Sequence, residues 1–182
     1  MKQNEIFIVL TETGTLFSQT IKWFTKASLN HASLSFDGEM KEVYSFGRKK
    51  VNNPFVGGFI KENFNDPFYY GASCAVYRCT VDDQDYLKMR HYVSSMLNNP
   101  ERYKYHLLGL VGILLNKRIT RQDAFFCSHF VASVLEQSNY RPINKPSYFV
   151  TPEDFELSLS SQEIYRGSLS GYMNRVQRGL SA

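Results

Sequence analysis

Asp123-Ala124-Phe125-Phe126-Cys127-Ser128-His129-Phe130-Val131-Ala132-Ser133-Val134-Leu135-Glu136 is the stretch on which the reading of this chain turns. Phe130, Val131, Val134 and Leu135 recur at helical spacing and form one apolar stripe, which predicts a helix over 124–138 packed on a core. Pro142 and Pro146 end it. Cys127 falls at or just before the helix start. A thiol there feels the positive end of the helix dipole and N–H groups that have no partner inside the helix. Both favour thiolate over thiol, and thiolate is the nucleophilic species. The same N–H groups can stabilise an oxyanion forming beside the sulfur.

The rest of the chain reads as alternating strands and helices. Glu5–Thr11 is a compact β run, and a short helix is expected from Thr15 through Lys26. His31–Phe36 and Met40–Phe46 flank Asp37-Gly38, a strong signal for a hairpin with a two-residue turn. Residues 48–70, with Asn52, Asn53, Pro54, Gly57, Gly58 and Pro67, read as a long loop, part of it a cover over a cleft. Ser73–Val81 is a strand. Asp82-Asp83 opens a helix to about Asn98, with Leu87, Val93, Met96 and Leu97 as its apolar positions. Tyr103–Leu115 is expected to be a helix broken by glycines. Thr151-Pro152-Glu153-Asp154 is a helix-capping sequence, and a strand is expected near 163–165. The order predicts an α+β fold with an antiparallel sheet packed against helices.

The 182 residues suit a single domain over 1–182, and 43% hydrophobic with 15% aromatic residues excludes a disordered chain. The longest apolar patch, Leu107–Leu115, is too short to span a bilayer and is interrupted by Gly109 and Gly112. The N-terminus lacks a signal-peptide apolar region, and three scattered cysteines suit a reducing compartment, so the expected location is cytoplasmic. The net charge of +4 is interleaved with acids, which argues against a nucleic-acid partner. The basic run Lys104, Lys117, Arg118 and Arg121 reads as solvated, with peripheral contact to an anionic membrane as the alternative.

Cys74 and Cys79, five positions apart on one strand, should face opposite sides and serve as core thiols. Cys127 needs a base. His129 is rotated about 200° from it around the helix axis. His91 reads as a surface or packing residue, and His106 sits in the glycine-broken segment. His31, at the start of a stiff strand, makes the better preorganised partner.

Asn30-His31-Ala32-Ser33-Leu34-Ser35-Phe36-Asp37-Gly38-Glu39-Met40-Lys41-Glu42-Val43-Tyr44-Ser45-Phe46-Gly47 and the later Phe125–Glu136 segment resemble the circularly permuted branch of the papain-like NlpC superfamily. That branch contains the YiiX/YaeF-like amidases and the lecithin:retinol acyltransferase-like enzymes. Its histidine strand precedes its cysteine helix, and His31 before Cys127 matches. Cys127-Ser128-His129-Phe130-Val131 is similar to the Cys-Glu-His-Phe-Val run of the acyltransferase group. The resemblance spans roughly residues 5–155 and includes Tyr103-Lys104-Tyr105-His106-Leu107-Leu108-Gly109-Leu110 and Pro152–Phe155.

The resemblance implies a papain-like, NlpC-type permuted fold and a cysteine hydrolase that cleaves an amide bond (peptide, isopeptide or cell-wall type) through an acyl-enzyme, with no metal or organic cofactor. The alternatives are an acyltransferase or thioesterase acting on lipid acyl groups, and a binding module without turnover. The expected partner is a peptide-like or lipid-like small substrate. Such families also place a polar residue on the strand beside the histidine. A two-residue Asp37-Gly38 turn sets His31 opposite Tyr44 or a neighbour, making Glu42, Tyr44 and Ser45 the candidates. Glu42, as an anion, is the strongest orienter.

Overall fold

The computed structural model describes residues 2–12, 28–48, 57–106, 117 and 121–180. Among these, eight strands form one sheet: β1 (Gln3–Glu12), β2 (His31–Ser35), β3 (Val43–Arg48), β4 (Gly57–Glu62), β5 (Ser73–Asp82), β6 (Lys104–Tyr105), β7 (Ala124–Phe125) and β8 (Glu163–Ser168). Their order is β7-β6-β4-β3-β2-β1-β5-β8, antiparallel throughout except for β6–β7. The α-helices among the described residues are α1 (Asp83–Asn98), α2 (Cys127–Leu135), α3 (Pro152–Ser158) and α4 (Leu169–Leu180). The chain is thus α+β, with an open, mostly antiparallel sheet packed with helices.

β1 is apolar at consecutive positions because it is covered on both faces. Ile6, Ile8 and Leu10 join Ala32, Leu34, Tyr44, Phe46 and Phe59 in a core closed by Met89, Val93 and Met96 of α1 and Phe130, Val131 and Val134 of α2. Phe7 and Val9 point the other way, to Val43, Cys74 and Val76, under Leu169, Tyr172 and Met173 of α4. Cys79 lies in the first core and Cys74 in the second, as their odd spacing requires.

Several expectations change. The hairpin is not a two-residue turn, because Leu34 pairs with Tyr44 and Ser35 with Val43, leaving residues 36–42 as the connection. The Asp37 carboxylate, which accepts the backbone N–H groups of Lys41 (3.0 Å) and Glu42 (2.7 Å), closes this wider loop. Its positive φ falls on Met40 (58°). Residues 57–62, read as loop, form β4. Lys104-Tyr105 is a strand, and residues 107–116, with the rest of the expected broken helix, lie outside the described residues, as does the expected helix from Thr15 to Lys26. Leu87 and Leu97 of α1 are exposed, and Met89 takes the inner position instead. The capping box at Thr151–Asp154 is formed as expected, whereas α4 had no signal strong enough to be anticipated.

Candidate active site

α2 starts at Cys127 itself, with Phe126 in the N-cap position. Its buried stripe lies on the sheet face that carries Ala32, Leu34, Tyr44 and Phe46, which fixes the helix N-terminus against β2 and β3. The pairing of those two strands ends at Leu34 and Tyr44. Beyond that point the backbone N–H of Ala32 is given to the Cys127 sulfur, as is the N–H of Ser128. The thiol takes the place of a strand partner.

That opening solves a geometric problem. Register alternation puts His31, Ser33 and Ser35 on the face with Thr11, Val9 and Phe7, away from α2. Cys127 approaches from the opposite face, and the gap between the strands lets it reach His31, to which it is hydrogen-bonded. His31 Nε2 is engaged at 2.7 Å by Glu62 Oε1, so Nδ1 is the nitrogen that serves the sulfur. The ring is part-buried, with 18% of the side chain exposed.

Glu62 ends β4, where it pairs with Val43 and shares the face of His31 and Ser45. Its side chain is almost fully buried, and its charge is met by hydrogen bonds. Ser45 Oγ donates to Oε1 at 2.5 Å and Ser33 Oγ to Oε2 at 2.7 Å. Burial, and then the Glu62 charge, raise the pKa of Tyr69 on the 3-10 turn Pro67–Tyr69.

The electrostatics follow from this geometry. Burial alone would lower the His31 pKa; the Glu62 charge, the Cys127 bond and the Glu62 bond override it and raise it to about 10. Burial alone would raise Cys127, but the hydrogen bond and charge of His31, followed by the Ala32 and Ser128 N–H groups, bring it below its ordinary 9.0. Burial likewise opposes ionisation of Glu62, and His31, then Ser45 and Ser33, outweigh it and hold the carboxyl below 4.5. The three shifts all favour thiolate, imidazolium and carboxylate, in a buried line of alternating charge. Such a line can attack an electrophilic carbon and then pass a proton to a leaving group.

Of the residues expected here, Cys127 and His31 come together. Glu42 does not join them, because its carboxylate is taken by the Arg90 guanidinium of α1, through a close contact to Nη1 and one of 3.3 Å to Nη2. Tyr44 faces the α2 side, its ring stacked on Phe59 at 6.0 Å. Ser45 does enter the site, through Glu62 rather than His31. Among the other histidines, His129 packs on Phe125 (4.6 Å) and Tyr148 (5.5 Å), and His106 is buried near Tyr148. His91 is exposed on α1.

Glu62 and Ser33 escaped the sequence reading. The available signal was weak: small residues at Ser33, Ser45 and Gly47 beside a carboxylate that a strand over 57–62 brings to the same face. No family model matches this chain, and neither the curated proteins nor the solved structures contain a match to it.

Proposed function

We propose that this chain is a cysteine hydrolase of the permuted papain-like kind, cleaving an amide bond through a thioester on Cys127. The observation that carries the reading is the buried line Cys127–His31–Glu62, with the sulfur at the first residue of α2. β2 with its histidine precedes α2 with its cysteine, in keeping with the permuted order.

Cys127 Sγ attacks the carbonyl carbon, and the oxyanion is met by the Cys127 N–H, which has no partner within the helix at that position. As the tetrahedral intermediate collapses, His31 gives its proton to the departing amine and the thioester remains. Neutral His31, with Glu62 holding its far nitrogen, then takes a proton from water as water attacks the thioester. The acid leaves, and the thiolate–imidazolium pair is restored.

A second reading, acyl transfer from a lipid donor, is favoured by the half-buried aromatic band near α2. Tyr103 lies 6.4 Å from Phe125, two residues before Cys127, and Phe125 in turn lies 4.6 Å from His129. Such a surface suits an acyl chain as well as an apolar peptide side chain.

The deciding experiment is the pH dependence of Cys127 alkylation by iodoacetamide, followed by mass spectrometry, in wild type and His31→Ala. Labelling well below pH 8.5, slowed in the variant, supports the nucleophile–base pair. An ordinary thiol profile in both would sink it and leave a binding module. Intact-mass detection of the acyl-enzyme with peptide amides against phospholipids then separates hydrolase from acyltransferase.

A further inference from the structure

We infer that Ser33 and Ser45 are positioning residues that act together through Glu62, a hydroxyl cradle whose work is to keep that carboxylate an acceptor and so hold His31 in place for Cys127. The inference deepens the proposed function and rests on it.

A carboxylate has about four lone-pair directions to offer. Three of them are taken on Glu62: His31 Nε2 and Ser45 Oγ lie on Oε1, and Ser33 Oγ lies on Oε2. Protonating either oxygen would set a donor beside a donor already in place, on a side chain almost wholly withdrawn from water. The cradle also fixes rotation. Oε1 is shared by Ser45 and His31 and Oε2 is held by Ser33, so the carboxylate plane cannot turn without breaking bonds at both ends.

The two hydroxyls come from separate strands: Ser33 is on β2 two residues from His31, and Ser45 is on β3 between the two partners.

The test is the low-pH limb of Cys127 alkylation in wild type, Ser45→Ala, Ser33→Ala and Glu62→Gln, each at a temperature where its melting curve shows it folded. Removing a donor makes Glu62 protonate at higher pH, which discharges the support for imidazolium and collapses the thiolate. The limb is expected to move upward by a few tenths to about one pH unit in Ser45→Ala and in Ser33→Ala, and furthest in Glu62→Gln. Loss of packing alone would lower the melting temperature and leave the limb in place. Should wild type show an ordinary thiol profile, the catalytic reading itself fails. Should wild type show the low limb and both hydroxyl variants superimpose on it, the site stands and the cradle is overturned. If Ser45→Ala does not fold, Ser33→Ala decides, since it too removes a donor with little change of volume.

Discussion

Glu62 and His31 meet at 2.7 Å although β3 lies between their strands. Two strand spacings amount to about 10 Å, so both side chains must lean over the intervening strand. Small residues on β3 allow it. Ser45 sits beneath the contact and donates to the same oxygen, and a Cβ on Gly47 would lie 3.9 Å from His31 Cε1.

The first prediction contrasts two glutamates. Burial lowers the His31 pKa, and Glu62→Gln removes the buried anion that is the largest of the opposing causes, so labelling of Cys127 at pH 6 should fall by about tenfold or more, a loss of one pKa unit or greater. Glu42→Gln should leave that rate unchanged. It breaks only the half-exposed pair with Arg90, whose loss should cost about 0–1 kcal/mol in denaturant unfolding. Equal effects from the two would mean that Glu62 has no special link to the thiol.

A second prediction concerns pH and stability, and its sign follows from three shifts. His31 is raised from 6.5 to about 10, so its contribution is full below pH 6.5 and is lost as pH rises through about 10. Cys127 is lowered from 9.0, so its contribution grows as pH rises and is full above about 9. Glu62, lowered from 4.5, contributes fully above that value and loses its contribution as pH falls through its folded pKa. Where the two windows overlap, above pH 6.5 and below about 9, the first two slopes oppose each other and flatten the profile. Cys127→Ser removes the rising contribution and keeps the falling one. The melting temperature of wild type minus that of Cys127→Ser should therefore climb from acid to about pH 9. A flat difference would mean that the sulfur is an ordinary thiol in the folded chain.

The sequence pattern made the place of Cys127 legible because a helix stripe and a cysteine at its start are local features. β1, β5 and α1 were legible for the same reason. The third residue was not, because it depends on register. A two-residue turn at Asp37-Gly38 pairs residues whose numbers sum to 75, which brings Tyr44 opposite His31. The observed pair Leu34–Tyr44 sums to 78. A shift of three positions is odd, so it exchanges the two faces of β3: Tyr44 turns to the core under α2 and Ser45 to His31. Turn chemistry set the trap, because the Asp37 side chain caps a longer loop instead of entering a tight turn. Glu62 was hidden for a related reason. Its strand opens with Gly57-Gly58, which reads as loop, yet Gly57 is a point where β3 and β6 both press against β4.

That closeness yields a third prediction. A Cβ on Gly57 would lie 2.8 Å from the Gly47 carbonyl oxygen and 2.8 Å from Tyr105 Cβ. Neither neighbour is the free end of a flexible chain, so Gly57→Ala must push β3 and β6 apart. The expected cost is about 1–3 kcal/mol in urea unfolding. Because Gly47 adjoins His31, the thiol should also label more slowly at pH 6. A variant as stable as wild type would show that the sheet yields freely there.

The last prediction separates anchoring of the helix from chemistry at the sulfur. Ser128 follows Cys127, and its hydroxyl is buried, donating at 2.6 Å to the carbonyl of Val150, itself buried just ahead of α3. This bond ties the first turn of α2 to the segment that leads into α3. The Ser128 contribution to the thiolate is its backbone N–H, not its hydroxyl. Ser128→Ala removes the hydroxyl and keeps the N–H. It takes a donor away from a buried carbonyl, which should cost about 1–3 kcal/mol on thermal or urea unfolding. The midpoint of the alkylation profile should stay within about 0.3 pH unit of wild type, since the sulfur keeps His31, Ala32 and the Ser128 amide. A large upward shift of that midpoint, with stability retained, would mean that the first turn of α2 is placed by this hydroxyl alone. Stability lost with the midpoint held is the result expected of a helix whose register is set by its packed stripe, with the serine as a tether.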